Sequence, residues 1–453
     1  MSRFPRGDRG FRPDGGPRFD RRPSPPQQRR PAVRIDTDQR MIEDTVNRPN
    51  VQSVVLKTST LNPNLFRKRL RDIPYEVAPG DLVAVDLEEG GRLGFGLCNP
   101  FAEIAVRMIS FGDQFPDKAH WQARLERAFA LRSDLLKLHE HATAYRVVHG
   151  EGDGLPGLVI DRYGDVLSLE AFSLGMYQRA QAAVSMLGSI CGTQHFSIRT
   201  SPASSEQECF DAEPYQSVNC PTSVTIEEYG TRFRVRFDGG GHKTGFFCDQ
   251  RENRKKLAEF CPGKSVLDLC CYTGGFAVQA KHLGKAADVT AVELDEEPLK
   301  LAKENAKLNQ AKINFVQADV FPYMRDMLRN GKKFDVVVLD PPKLLRNREE
   351  IEDGKRKHFD LNRLAMQLVN PGGVLLTCSC AGLLPDEEFQ RMICSAARQA
   401  GPEICDENSL DARVRHAPRD MQIIDKTGAG ADHPILGNCP ESEYLKAYWL
   451  RMW

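Results

Sequence analysis

Hydrophobic positions in the second half of the chain form short apolar runs that alternate with longer amphipathic segments. The apolar runs are typical of buried strands, and we predict strands at 264–269, 288–293, 312–316, 334–339 and 373–378. The intervening segments have apolar residues at helical spacing, which predicts helices near 275–284, 296–309, 320–330, 356–369 and 385–400. This alternation indicates a parallel, doubly wound sheet, and the apolar run 444–452 predicts a further strand at an antiparallel edge.

The first half of the chain follows other patterns. Residues 51–57 predict a strand, and alternating positions over 81–110 around Gly90 and Gly91 predict a hairpin and a third strand. Residues 117–141 have apolar positions near helical spacing, whereas strands and turns alternate over 145–240 around a helix near 175–190. We therefore predict an α/β chain with three domains. They are a small β domain (49–116), an α+β linking domain (117–238) and a doubly wound domain (239–453).

Charge separates the N-terminal segment from the rest of the 453 residues. The chain has 62 basic and 62 acidic residues, yet residues 1–34 hold ten Arg and three Asp, a net charge of +7 (10 − 3). With seven prolines and few aliphatic residues, this segment predicts a disordered arm over 1–48. Its arginines suit RNA phosphates, although a purely solubilising tail explains them equally well.

The cysteine pattern and hydropathy exclude several classes of protein. No apolar run is long enough to span a membrane, and the N-terminus lacks the apolar core of a secretory signal. The 13 cysteines are therefore expected as reduced thiols in the cytoplasm. They include no C-x-x-C spacing, so we expect no metal site.

Acidic residues at successive strand ends predict the cofactor. Gly274 and Gly275 follow the first strand of the doubly wound domain, where a flexible backbone allows a ligand to approach. Glu293 ends the next strand and suits two ribose hydroxyls, while Asp319 suits an adenine amino group and Asp268 an ammonium. A set of acids without a phosphate-binding base favours S-adenosylmethionine (SAM). The alternative is an ordinary glycine turn.

The next two strand ends carry candidate chemistry. Asp340 precedes two prolines, a pattern typical of amino-methyltransferases, and Cys380 follows the fifth strand, whereas Cys378 is expected to pack in the core. A thiol is needed when the methyl acceptor is a pyrimidine carbon, because thiolate addition to carbon 6 activates carbon 5. Asp340 and Cys380 therefore predict carbon-5 methylation of cytosine or uracil. Two alternatives remain, methylation of a purine nitrogen with Cys380 inert, and a non-catalytic RNA-binding assembly factor.

Six ordered motifs point to one family. They are GGGHKTGFFCDQRENR (239–254), CYTGGFAV (271–278), LDPPKLL (339–345), TCSCAGLL (377–384), ADHPIL (431–436) and PESEYLK (440–446). Over 51–453 they resemble the RlmI-like group of bacterial large-subunit rRNA cytosine carbon-5 methyltransferases. The resemblance implies an N-terminal PUA RNA-binding domain, a middle α+β domain and a Rossmann-like SAM methyltransferase domain. It also implies a large-subunit rRNA partner, and a homodimer is possible.

The same resemblance assigns roles to individual residues. It implies that Cys380 is the nucleophile. It also implies that the first motif closes over the methionine end of SAM through Lys243, Thr244, Gly245, Phe246, Phe247, Asp249, Gln250 and Arg251. The CYTGG loop adds Tyr272 and Thr273 as expected cofactor contacts. The sequence departs from the family pattern at Ala381, where Ser is usual, and at 62–66 and 356–362.

Overall fold

The computed structural model describes residues 51–237, 246–345, 347–404 and 415–453. The predicted arm over 1–48 lies outside the described residues, as do Lys243, Thr244 and Gly245 of the first motif. Within the described ranges, no helix is long and apolar enough to cross a membrane, and no group of three side chains is arranged to hold a metal ion.

The N-terminal sheet has five strands. They are β1 (Ser53–Leu56), β2 (Asn64–Phe66), β3 (Asp81–Leu87), β4 (Arg92–Cys98) and β5 (Ile104–Phe111). Their order in the sheet is β1-β3-β4-β5-β2, with β1 parallel to β3. The predicted hairpin is confirmed, and Gly90 and Gly91 form its turn at φ values of +99° and +88°, which favour glycine.

A second five-stranded sheet follows helix α1 (Lys118–Ala130). Its elements are β6 (Ala144–His149), β7 (Leu158–Tyr163), β8 (Val166–Ala171), α2 (Leu174–Cys191), β9 (His195–Arg199), α3 (Pro202–Glu208) and β10 (Tyr215–Gln216), in the order β10-β9-β8-β7-β6. The helix near 175–190 is confirmed as α2. The helix predicted over 117–141 ends early, because a π turn follows Ala130 and Lys137 takes a left-handed conformation at φ +47°.

A two-stranded hairpin joins this sheet to the doubly wound domain. It consists of β11 (Ser223–Glu228) and β12 (Thr231–Arg236). Phe233 of the hairpin shares a buried cluster with Tyr163 of the second sheet, and with Phe246, Val278 and Ala306 from beyond residue 238. The hydrophobic core therefore crosses the predicted boundary, and the domain limits stay a prediction.

The doubly wound domain contains one seven-stranded sheet. Its helices are α4 (Arg251–Glu259), α5 (Gly275–His282), α6 (Glu296–Leu308), α7 (Val320–Arg329), α8 (Ile351–Leu368) and α9 (Asp386–Ala397). Its strands are β13 (Ser265–Leu269), β14 (Asp288–Glu293), β15 (Asn314–Gln317), β16 (Phe334–Leu339), β17 (Val369–Ser379), β20 (Met421–Thr427) and β21 (Lys446–Met452), and the short pair β18 (Glu403–Ile404) and β19 (Arg415–His416) lies apart. The strand order is β15-β14-β13-β16-β17-β21-β20, so all five predicted parallel strands are confirmed.

One expectation about this sheet is wrong. The C-terminal strand β21 is antiparallel, as predicted, but it lies between β17 and β20 rather than at the edge. All of its residues except Arg451 are buried, which is typical of a strand that is covered on both faces. The edge strand is β20, in which no residue is fully buried and which the sequence analysis did not predict.

Candidate active site

The site lies where four neighbouring parallel strands end. Asp268 is the second-last residue of β13, Glu293 ends β14, Asp340 follows β16 and Cys380 follows β17. Because β14, β13, β16 and β17 are adjacent and parallel, their carboxyl ends share one edge of the sheet. Leu339 pairs with Thr377, so Asp340 and Cys380 emerge from neighbouring strands, as the sequence predicted.

Glu293 shapes the loop after β13. One carboxylate oxygen accepts a hydrogen bond from the backbone N–H of Tyr272 at 2.7 Å. The other accepts from the backbone N–H groups of Leu294 and Asp295 at 2.8 and 3.1 Å. A carboxylate offers about four lone-pair sites, so three amides leave it able to accept from a hydroxyl group. This arrangement suits the ribose that the sequence assigned to Glu293.

Asp268 is buried and only half satisfied. Its Oδ2 accepts from the backbone N–H of Ala277 at 2.9 Å, in the first turn of α5. Its Oδ1 is also buried and has no hydrogen-bond partner among the described residues. Burial raises the pKa of Asp268 well above its usual range, and the charges of Asp340 and Glu293 add to this rise. An orphaned buried oxygen calls for a ligand donor, which fits the ammonium group of SAM.

The glycines of the cofactor loop have a packing role that the sequence did not indicate. Gly274 has φ +81°, and a Cβ there would lie 3.2 Å from Cβ of Ala302 on α6. A Cβ at Gly275 would lie 3.2 Å from Cδ of Arg254. The two glycines therefore allow α5 to begin against α6 and Arg254, and this packing supplements the approach of a ligand to the backbone.

The remaining predicted cofactor contacts lie around this loop. Thr273 is buried, and its carbonyl accepts from the side-chain amide of Asn305 at 2.9 Å. Phe247 lies beside the loop, with its ring 5.2 Å from that of Tyr272. Asp319 is exposed after β15, and its carboxylate caps α7 by accepting from the backbone N–H of Phe321 at 2.8 Å. The structure therefore brings Phe247, Tyr272 and Thr273 together with Glu293.

Gln250 holds Asp340 in place. Its Nε2 donates to Oδ2 of Asp340 at 3.1 Å, and its Oε1 accepts from Nδ2 of Asn253 at 2.6 Å. Asn253 in turn accepts from the hydroxyl of Thr427 on β20 at 2.7 Å. This chain of hydrogen bonds runs from the edge strand to the carboxylate after β16. The sequence predicted Gln250 as a cofactor contact, and its observed partner is a catalytic candidate.

Arg251 forms ion pairs with two acids, of which Asp432 is buried and Glu252 is partly exposed. The residue is completely buried, and its Nη1 donates to Asp432 at 2.9 Å while its Nη2 donates to Glu252 at 2.7 Å. Asp432 belongs to the ADHPIL motif and also accepts from the backbone N–H of Arg146 in the second sheet, at 2.8 Å. We therefore assign Arg251 to the framework behind the site rather than to its cofactor surface.

The two cysteines of the TCSC motif have different environments. Cys378 is completely buried in the core, as predicted, and burial followed by the charge of Asp340 raises its thiol pKa far above the usual range. Cys380 is half-buried and is the first residue beyond β17. Reactive thiols are partly exposed and close to positive charge, whereas thiols buried in apolar surroundings are inert. Of the two, only Cys380 has the exposure of a nucleophile.

Sequence reasoning missed three polar residues near the strand ends. They are Asn253, Tyr444 and Lys446. The hydroxyl of Tyr444 donates to Asp249 at 2.6 Å, and Nζ of Lys446 donates to the carbonyl of Ala381 at 2.9 Å. Tyr444 and Lys446 belong to the PESEYLK motif, so the motif itself was the available signal.

Comparison with known proteins agrees with this architecture. The family model for S-adenosylmethionine-dependent methyltransferases matches residues 186–402, and the model for PUA-like domains matches residues 57–111. Two solved structures share the fold at a TM-score of 0.71, and each match covers 88% of this chain and 100% of the other chain. They are a methyltransferase complexed with SAH, at 19% identity, and a SAM-dependent methyltransferase from Streptococcus mutans, at 18%.

Curated relatives are similar over most of the chain. Ribosomal RNA large subunit methyltransferase I from Cronobacter sakazakii is 34% identical over 393 residues, which is 85% of this chain and 94% of the relative. The protein of the same name from Shewanella denitrificans is 36% identical over 382 residues, or 83% and 91%. The resemblance seen in the motifs is thus confirmed. The chain belongs to the ribosomal RNA large subunit methyltransferase I family and is a SAM-dependent methyltransferase.

Proposed function

We propose that this enzyme methylates carbon 5 of a cytosine in large-subunit ribosomal RNA. The observation that carries the proposal is the half-buried thiol of Cys380 just after β17, beside strand β16, which Asp340 follows. The names of the relatives support the RNA substrate, and the PUA-like domain supports RNA binding. A ribosomal substrate also supports the predicted cytoplasmic location, while the possible homodimer stays a prediction.

Residues at the strand ends offer hydrogen-bond acceptors that match the polar groups of SAM. Glu293 and Asp268 would accept from the hydroxyl and ammonium groups of SAM, Asp319 would accept from its adenine amino group, and the loop 272–275 with Phe247 would line the site. When bound, SAM supplies an electrophilic methyl group that an activated pyrimidine carbon accepts.

The covalent steps use Cys380 and Asp340. The thiolate forms a bond to carbon 6 of cytosine, and the electrons of the 5,6 double bond move so that carbon 5 becomes nucleophilic. Asp340 acts here in its protonated form: oriented by Gln250 on one oxygen, it donates its proton in a hydrogen bond to ring nitrogen 3 and stabilises the negative charge that develops there. After carbon 5 has gained the methyl group, it loses its hydrogen as a proton to solvent. The thiolate then leaves carbon 6, which restores the double bond and the free cysteine.

The test is to identify the methylated nucleoside. Purified enzyme and SAM are incubated with large-subunit rRNA from cells that lack the gene, either free of protein or in assembled subunits. The RNA is digested and analysed by mass spectrometry. We expect 5-methylcytidine at one position. An N-methylated purine would contradict the proposal and favour the alternative in which Cys380 is inert.

A mechanism-based trap tests the covalent step directly. RNA carrying 5-fluorocytosine at the target cannot lose a proton from carbon 5, so the adduct should persist as a band that resists denaturation. The wild type should form this band, and the Cys380→Ala variant should not. Turnover of ordinary RNA without any adduct to the fluorinated RNA would exclude the thiol mechanism.

A further inference from the structure

A buried lysine lies beside the loop that carries Cys380. Lys446 begins β21 and is only 8% exposed. Its Nζ donates to the carbonyl of Ala381 at 2.9 Å and to that of Tyr444 at 3.0 Å. Lysine ammonium groups carry three N–H donors and are rarely buried without a counter-charge. This position therefore calls for a specific explanation.

The register of the sheet places Lys446 next to the segment that carries the thiol. Lys446 is paired with Ser379 across β17 and β21, and its ammonium binds the carbonyl of Ala381. Cys380 is the single residue between these two contacts. Burial lowers the pKa of Lys446, and the charges of Asp386, of a thiolate at Cys380 and of Glu443 act against this lowering. The ammonium and the thiolate therefore lie close enough to act on each other.

The charges around this pair come from several elements. Asp386 at the start of α9 and Glu443 before β21 act on Lys446, and the ammonium of Lys446 acts on His358 of α8. Asp340 after β16 and Asp249 before α4 act on Cys378, two residues from Cys380 in the chain. Asp386 and Glu443 therefore help Lys446 to keep its charge, whereas Asp340 and Asp249 oppose a negative charge at Cys378.

No carboxylate of the described residues forms a hydrogen bond with Lys446, although Asp386 and Glu443 act on it from a greater distance. Within the described ranges its hydrogen-bond acceptors are the two carbonyls, and neither carries a full charge. A buried charge is stabilised when an opposite charge lies close to it. A thiolate at Cys380 would add its charge to those of Asp386 and Glu443, and the ammonium of Lys446 would in turn stabilise the thiolate.

We propose that Lys446 is a positioning residue that stabilises the thiolate form of Cys380 before RNA binds. The inference rests on the proposed function, in which Cys380 is the nucleophile. The thiol proton passes to a solvent base, and Lys446 keeps its own proton throughout. Its contact with the carbonyl of Ala381 also fixes the backbone next to Cys380, while its contact with the carbonyl of Tyr444 holds the ammonium in place.

Alkylation of Cys380 by iodoacetamide tests this without RNA or SAM. The rate is followed from pH 6 to 10 by mass spectrometry of the peptide, with fragmentation to separate Cys380 from Cys378. Ordinary thiols react with a midpoint at about pH 8.5. We expect a lower midpoint for the wild type, and a wild-type midpoint at or above this value would overturn the proposal even if no variant folds.

The variants test the source of the effect. Lys446→Met should raise the midpoint by about one pH unit or more and slow alkylation at pH 7 about tenfold. Lys446→Arg, which keeps the charge, should stay close to the wild type. Lys426→Met is the matched control, because Lys426 lies on the neighbouring strand and contacts Gln390 and Asp386 instead. Equal midpoints in the wild type and Lys446→Met would also overturn the proposal.

Methyl transfer gives a second readout. The acid limb of kcat against pH should move to higher pH in Lys446→Met by the same interval as the alkylation midpoint. If the enzyme forms no 5-methylcytidine, the proposed function fails, but the alkylation result still reports whether Lys446 governs the thiol. The two failures are therefore distinguishable.

Discussion

The two sides of the catalytic edge are built in different ways. On the cofactor side, Glu293 and Asp268 accept hydrogen bonds from backbone N–H groups that lie within 21 residues of them in the chain. On the acceptor side, Asp340 is held by Gln250 from 90 residues away, and Lys446 reaches the Cys380 loop from 65 residues away. The cofactor half is thus a local structure, whereas the acceptor half depends on the assembled fold.

This difference explains what the sequence could predict. The strands, the cofactor loop and the strand-end acids follow from local hydrophobic patterns and short spacings, and the structure contains them where they were expected. The partners of Gln250 and Arg251 and the contacts of Lys446 arise from packing between distant segments, which no local pattern encodes. The position of β21 inside the sheet was missed for the same reason, because the strand that pairs with its outer edge, β20, gave no clear pattern in the sequence.

Replacing the nucleophile should have the largest effect and should be confined to the acceptor side. Cys380→Ala removes the proposed route to an activated carbon 5, so we expect methyl transfer to fall by several decades. The SAM dissociation constant, measured by calorimetry, should remain within about threefold of the wild type because the cofactor contacts are local to β13 and β14. Near-normal turnover would favour nitrogen methylation instead.

Replacing Arg251 tests whether this residue stabilises the fold behind the site without contacting the cofactor or the methyl acceptor. Arg251→Met leaves Asp432 buried without one of its partners, and we expect the free energy of unfolding to fall by about 3–5 kcal/mol. Urea denaturation followed by tryptophan fluorescence measures this change. The exposed ion pair of Arg391 makes Arg391→Met a matched control, with an expected change of about 0.5 kcal/mol or less.

Calorimetry on the folded variant completes this test. If Arg251 belongs to the framework, SAM affinity should remain close to that of the wild type at temperatures well below unfolding. A stable Arg251→Met protein with much weaker SAM binding would instead support Arg251 as a cofactor contact.

Replacing Glu293 should affect the cofactor side alone. Glu293→Ala removes a carboxylate that holds three loop amides and is proposed to accept from ribose. Charge-assisted hydrogen bonds contribute about 1.5–3 kcal/mol each, so we expect SAM affinity to fall tenfold or more. Glu296→Ala is the control, since Glu296 is exposed on α6 and pairs with Lys300. An unchanged dissociation constant in Glu293→Ala would contradict the ribose assignment.

The smallest effect is expected at the second cysteine, which shares the TCSC motif but not the exposure of Cys380. Cys378 pairs with Ala447 across the sheet and packs in the same cluster as Trp449, so Cys378→Ala should reduce stability by about 1–2 kcal/mol. Its methyl transfer and SAM affinity should remain within about threefold of the wild type, because a fully buried thiol with a raised pKa supplies no thiolate.

Urea denaturation and activity assays on Cys378→Ala and Cys380→Ala measure this difference. We expect Cys378→Ala to lose stability and keep its activity, and Cys380→Ala to lose its activity and keep its stability. If both variants are folded and both are inactive, the reaction depends on the whole end of β17 and not on one thiol. That result would contradict the assignment of Cys380 as nucleophile and Cys378 as a packing residue.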